Sequence, residues 1–529
     1  MNNSKRNSII ILAKNINLDK EYINILSYSE SEMVTLCESN DHLVAKQTNY
    51  SFLKPNENVI NVGISYATCL QANYIAMQNP SYSNKWFFAF IDKVEYNSEA
   101  STNIYYTIDE MSTWWSYWTR KVCYVEREHV NDDTVGLHTI PEGLETGDYI
   151  CNDSTSTVFN EYAYLLNTSK LTSGADVYAT NVNGIWMSGG FYAFDNITSL
   201  ISVLNLYNGS DPTLDLTIDA VKNVYIVPKF LLNTEQYNTR WNGTNTPVYV
   251  NTTVNKLTTL NGYTPKNKKL LCYPYNYLLE TNNNGSSNIF KYELFSSNPS
   301  FSIGGCATVG SSIVSIPNNY NSGNEPNMLN AGKFPTCSWS EDAYTNWLTQ
   351  NSVNVLGQTI DPVTAGYGIA GIQALAGVGM IASGNPVGGN LIGSAISSAF
   401  QTAQAVHEHE IVPNSFRGNI NGGDYLTASG HNGFYFYRMS IKREMAESID
   451  AFFTRFGYKV NSLKMPNFTG RTYWNFVKIA GGEIIGYSNT QISVPESSMD
   501  IINNVFRKGT TIWHNHDNIG NYSLDNTIV

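Results

Sequence analysis

Charge is scarce in this sequence. Asp, Glu, Lys and Arg make up 14% of its 529 residues, against roughly 25% in an ordinary soluble protein. A coiled coil, which is built largely from Ala, Glu, Lys, Leu and Arg, is excluded by that figure. The 32 Lys and Arg are outnumbered by 44 Asp and Glu, leaving a formal net charge of −12. A charge-driven nucleic-acid reader needs a basic face to neutralise phosphates, so that class is excluded too. Hydrophobic residues reach 42%, too many for a disordered hub. An acidic wall would still let a duplex slide past without sticking, although plain solubility is the simpler use of the charge.

Cysteine is sparse and unpatterned. The seven are Cys37, Cys69, Cys123, Cys151, Cys272, Cys306 and Cys337. An odd number without CxxC spacing reads as free thiols of a protein folded in reducing cytoplasm. The apolar run Ile9 to Ala13 is too short for a signal peptide, so synthesis inside a cell is expected. No GxSxG, HExxH, P-loop or dinucleotide fingerprint is present, and no cofactor or metal is called for. No short internal repeat is found.

What replaces charge is Asn, Ser, Thr and aromatic residues, including 35 Tyr. Aromatic and β-branched runs punctuated by NG, DP and NNNG turns predict strands. Examples are Lys85–Ile91, Ile104–Ile108, VKNVYIVPKF, TPVYVNTTV and Gly433–Met439. Phe290, Tyr292 and Leu294 are expected on one strand face. Asp109 or Ser112 is placed to cap a short helix carrying Trp114, Trp115 and Trp118. A second helix is expected over Glu444–Phe456, closed by Gly457. The predicted fold is mainly β: a multi-domain β-barrel or β-sandwich subunit with an inserted long apolar loop. Composition breaks divide it into 1–120, 121–295, 296–440 carrying the loop, and 441–529.

One segment breaks the pattern. Pro362 to Val406 contains no Asp, Glu, Lys, Arg or His. Gly384-Asn-Pro-Val-Gly-Gly389 divides it as a turn. Each arm, of roughly 17 to 22 residues, would span about 26 to 33 Å as a helix, close to a bilayer's hydrocarbon core. The apolar side chains are Ile369, Ile372, Leu375, Val378, Met380 and Ile381 in the first arm. Leu391, Ile392, Ile396 and Phe400 follow in the second. Small residues such as Gly366, Ala370 and Ala374 would let helices approach closely in lipid. Three readings are open: a buried insert, a permanent hairpin anchor, and a membrane-active loop stored shielded and released when needed. The polar remainder and the lack of flanking basic residues weigh against the anchor. The third reading requires an oligomer or lumen to hide the apolar surface.

Two polar clusters compete for attention. Glu126-Arg-Glu-His-Val-Asn-Asp-Asp133 could bind a cation or serve as acid and base. The plainer reading is a knot of turns and salt bridges. His407 and His409, at the base of the apolar loop, would share one face of a strand as a metal pair or a pH switch. The plainer reading there is a polar stop to the apolar run. His514 and His516 form a similar pair. Gly422, Gly423, Gly433, Gly481 and Gly482 read as bulges and turns rather than phosphate cradles, since no helix start follows.

Four runs carry a family resemblance: Lys14–Lys20, ANYIAMQNPSYSNKWFFAFIDKVEY from Ala72 to Tyr96, YYTIDEMSTWWSYWTRKVCYVEREHVNDDT, and Tyr263–Leu278. They resemble the tail knob, or distal tail tube, proteins of small short-tailed bacteriophages with protein-primed genomes. The resemblance implies a non-enzymatic virion protein at the tail tip, assembled as a hexameric tube on a lower collar or proximal tail protein. It implies that double-stranded DNA passes through the lumen without specific binding. It also implies hydrophobic loops that plug the lumen and then form a pore in the host cytoplasmic membrane, a role that falls here on 362–406. The alternatives are a tail-associated cell-wall or glycan hydrolase, with Glu126 and Asp132 as its carboxylates, and a receptor-binding tail protein.

Overall fold

The computed structural model describes residues 8–50, 58–168, 179–182, 185–188, 190–207, 221–232, 239–241, 248–283, 287–305, 312–321, 329–333, 336–338, 433–487 and 492–529. The chain is mainly β and divides into two compact units. The first contains residues 1–145, 266–269 and 447–529; the second contains 146–265 and 270–446.

The first unit is organised by a six-stranded antiparallel sheet. Its strands run in the order Leu43–Tyr50, Ser8–Ala13, Tyr74–Asn79, Lys85–Ser98, Ser101–Ile108 and Val59–Val62. The two-residue period of a strand sends alternate side chains to opposite faces, and here both faces are buried. Ile10, Leu12, Ile75 and Ala89 fill one cluster. Ile11, Ala13, Tyr74, Ala76, Phe88 and Phe90 fill another, with Trp474 and Trp513 from the far end of the chain. That is why Trp-Phe-Phe-Ala-Phe-Ile is uninterrupted by polar residues.

A five-stranded sheet completes this unit, in the order Asn24–Leu26, Thr510–Trp513, Trp474–Gly481, Cys123–Glu128 and Tyr458–Lys464. Its first pair is parallel and the rest are antiparallel. Cys123–Glu128 thus pairs on both sides with strands more than 300 residues later. Asp109 caps the helix Glu110–Trp114, accepting from the Ser112 amide at 3.1 Å. Trp114 and Trp118 both enter the core. Trp118, however, begins the strand Trp118–Arg120, because Trp115–Tyr117 forms a 3-10 turn and the backbone then becomes extended. The later helix runs Arg443–Phe456. It stops at Gly457, whose φ of +63° suits glycine.

In the second unit three sheets contribute to one aromatic core. The strands Tyr149–Val158, Gly433–Ile441, Asn276–Thr281 and Ser287–Phe290 form the first. Thr239–Trp241, Gly190–Phe194, Tyr162–Thr168, Val221–Pro228 and Thr336–Ser338 form the second. Val248–Thr253, Ser300–Gly305, Ser312–Pro317 and Leu329–Lys333 form the third. Phe290, Phe295, Phe301, Tyr320, Phe434 and Phe436 meet between them. Phe290 and Tyr292 are both buried, but not as neighbours on one strand. The strand ends at Phe290, and Tyr292–Leu294 closes a 3-10 turn in which Phe295 N–H donates to the Tyr292 carbonyl at 3.2 Å. Gly433 permits close strand approach: a Cβ there would lie 2.3 Å from the Thr157 carbonyl.

Candidate functional site

The apolar run is inserted in the second unit between two defined strands. Thr336–Ser338 pairs with Val221–Pro228, and Gly433–Ile441 is flanked by Tyr149–Val158 and Asn276–Thr281. The strand to which the chain returns is therefore interior to its sheet. Residues 362–406, with all ten apolar side chains named above, lie outside the described residues, as do His407, His409, Gly422 and Gly423. Among the described residues, no helix is long and apolar enough to cross a membrane.

The charged cluster is fully placed, and its groups hold the first unit together. Glu126 pairs with Lys478 at 2.9 Å. The enclosed Glu128 carboxylate bonds Lys464 and accepts from Asn467 N–H at 2.9 Å. Arg127 bonds the buried carboxylate of Glu142, which also holds Lys269, and donates to the Gly457 carbonyl at 2.6 Å. Asp132 closes its own turn, accepting from Thr134 N–H and Oγ1 at 2.9 and 2.7 Å. Asp133 accepts from Tyr458 Oη at 2.6 Å and from Lys268 N–H at 2.9 Å.

His129 Nδ1 accepts from Phe476 N–H at 2.8 Å, so its Nε2 carries the proton and donates to the Thr454 carbonyl at 3.0 Å. Burial, helped by the nearby Arg471 charge, pushes its pKa down to about 3. A neutral imidazole with both nitrogens engaged is a structural bridge. Glu126 and Asp132 are likewise committed to separate bonds rather than facing each other as an acid–base pair.

His514 and His516 have different surroundings. His514 contacts Ser27 Oγ at 3.2 Å and Asn475 Oδ1 at 3.0 Å. His516 packs edge-on against His42 with ring centroids 4.7 Å apart. His42, His516 and Asp517 bring one ligand atom each within 4.8 Å of one another. His516 Nε2 accepts from Asn17 N–H at 3.3 Å, so Nδ1 holds the proton that faces Asp517 at 3.2 Å. In that arrangement Nδ1 has no lone pair to give a cation. Cys37, Cys69, Cys123, Cys151 and Cys272 carry no disulfide.

A cleft of about 350 Å³ in the first unit was not foreseen. It is lined from five separate stretches: 129–134, 266–268, Thr454, Arg471 and 525–528. No local motif joins such stretches. Two of the family-like runs, the one ending at Thr134 and the one from Tyr263, supply parts of its wall.

Comparison with known proteins supplies the remaining findings. Residues 233–527 match the family described as Bacillus phage phi29 tail knob protein gp9, C-terminal domain. Residues 6–119 match the caudoviral major tail protein N-terminus. The chain is 24% identical to tail knob protein gp9 of Bacillus phage phi29, over 93% of each chain. It is 24% identical to the same protein of Bacillus phage PZA, over 91% of this chain and 92% of that one. Its fold is similar to that of the bacteriophage C1 tail knob protein gp12. That match has a TM-score of 0.65 at 15% identity, covering 99% of this chain and 100% of the other.

Proposed function

Since the chain belongs to the family of the phi29 tail knob protein gp9 and is thus a structural component of a phage tail, we propose that it builds the distal tail tube and breaches the host membrane. In this reading six copies form a closed ring below a lower collar or proximal tail protein. Double-stranded DNA leaves through the lumen, which the chain's acidic balance keeps from gripping phosphate. On the same reading 1–120 is the N-terminal β domain of the tube wall, 121–295 a second β domain, 296–440 a distal β domain carrying the loop, and 441–529 a segment returning to the wall; the protein works without catalysis.

The observation that carries the reading is the charge-free run Pro362–Val406. Six apolar loops inside a tube would shield one another from water. Released as helical hairpins, they would satisfy their backbone hydrogen bonds inside the bilayer. Ile369, Ile372, Leu375, Val378, Met380 and Ile381 would meet lipid from one arm. Leu391, Ile392, Ile396 and Phe400 would do so from the other. His407 and His409 sit at the loop base, where protonation near pH 6.5 would add charge at the release point.

Dye-filled liposomes test this. The purified chain is expected to release dye, and deleting Ala365–Gln404 is expected to reduce release to the lipid-only baseline while the β circular-dichroism signal persists. Equal leakage from the deletion variant rejects the loop assignment. Running the same assay at about pH 5 and pH 7 decides the His407/His409 switch, which is discarded if leakage is unchanged.

A further inference from the structure

The cleft in the first unit contains an unanswered positive charge. Arg471 lines it and is only 8% exposed. Its Nε is buried without a hydrogen-bond partner, and no ion pair reaches its guanidinium among the described residues. Guanidinium groups stay charged, so an enclosed one without a partner carries an uncompensated desolvation cost.

The acidic residues of the wall do not remove that cost. Asp132 Oδ1 is held by Thr134 N–H and Oγ1. Asp133 spends one oxygen on Tyr458 and the other on the Lys268 amide. Burial lowers the Arg471 pKa, and Tyr458 and Asp133 attract the charge without bonding it. Asp525 is exposed and lies 3.9 Å from Lys266.

We propose that this cleft is a carboxylate-binding site in which a ligand carboxylate pairs with the Arg471 guanidinium between the rim ammonium groups of Lys266 and Lys268. Three cations and three carboxylates line the cleft, so a singly charged anion disturbs the charge balance less than a doubly charged one. The fork of donors on Arg fits the two oxygens of a carboxylate. The volume, about 350 Å³, is at the small end of ligand sites. It suits either a small organic acid or an Asp or Glu side chain of a neighbouring protein.

Thermal unfolding of the full chain in sodium acetate, against sodium chloride at equal ionic strength, tests the site. Acetate is expected to raise the midpoint by a few degrees, saturably, because it binds the folded state alone. Inorganic phosphate, a stronger anion of higher charge, is expected to raise it less. Arg471→Gln is expected to lose the acetate increment. Lys268→Gln changes an exposed side chain and leaves its backbone N–H donating to Asp133. It is expected to shift half-saturation several-fold upward, which keeps the test available if Arg471→Gln does not fold.

Coincident acetate and chloride curves, or an acetate increment that survives in Arg471→Gln, overturn the proposal. Repeating the titration on assembled tails separates the two sources. An increment retained there assigns the site to a small solute. An increment lost there, having been present in the free chain, assigns it to a neighbour's side chain.

Discussion

In the unit that holds both chain ends, the Glu142 side chain is enclosed with Arg127 and Lys269 bonded to it and Lys459 N–H donating at 2.9 Å. In the other unit, Glu280 is fully buried opposite Phe436 on the neighbouring strand; neither of its oxygens has a well-formed hydrogen bond, and the nearby Ser315 hydroxyl is equally unsatisfied. The first arrangement surrounds a carboxylate with two cationic side chains and a backbone donor. The second leaves a carboxyl to lower its own cost by staying protonated, and burial pushes its pKa up to about 8. The first unit therefore uses charge to join distant parts of the chain. The second relies on aromatic packing and tolerates the unsatisfied carboxyl of Glu280.

The sharpest way to break this contrast is to remove the acid from the first unit. Glu142→Gln leaves two enclosed cations without their shared negative partner. Losing one side of a buried ion pair typically costs about 3–5 kcal/mol, and urea unfolding of the variant against the parent measures it. A change within experimental error would mean that solvent, not Glu142, holds Arg127 and Lys269.

The same operation in the second unit is expected to act in the opposite direction. The folded pKa of Glu280 lies above its ordinary value of 4.5. Below pH 4.5 both states are protonated and no penalty exists. As pH rises toward 8, the unfolded chain releases its proton first, and stability falls. Glu280→Gln removes that loss, so at pH 7 the variant should be the more stable by about 3 kcal/mol. Urea midpoints from pH 4 to 9 check the sign. A parent and variant that run parallel would show that the carboxyl is not titrating in isolation.

Much of this architecture is written locally in the sequence, and the contrast between the units is not. Val221–Pro228, Val248–Thr253 and Gly433–Ile441 are strands because aromatic and β-branched residues suit a pleated, buried surface. Arg443–Phe456 is a helix that its glycine visibly ends. The partners of Cys123–Glu128 were illegible, because strand pairing across 330 residues leaves no trace in local periodicity. Glu142 lies outside any strand or helix, where composition says exposed. Its burial is set by Lys269 and Lys459, from remote segments. The charged run Glu126–Asp133 was legible as a structural knot, whereas the cleft it helps to line was not, being assembled from five stretches. The apolar run 362–406 with His407 and His409 stands out by composition alone.

His129 offers the finest test, because it lies in the charge-rich unit yet is held neutral. Its Nδ1 is the acceptor for Phe476 N–H inside the five-stranded sheet. His129→Leu keeps the bulk but orphans that donor, at a cost of about 1–3 kcal/mol at pH 7. The folded pKa of about 3 lies below the ordinary 6.5. The stability His129 confers is thus complete above pH 6.5 and is lost as pH falls toward 3, since the unfolded chain takes up the proton first. Within that window the parent should lose about 1.4 kcal/mol per pH unit from this residue, and the leucine variant should lose none. The two urea midpoints should therefore converge between pH 6.5 and pH 4.5. A gap that stays constant over that range would mean that His129 charges in the folded state and is a buried imidazolium near Arg471 rather than a neutral bridge.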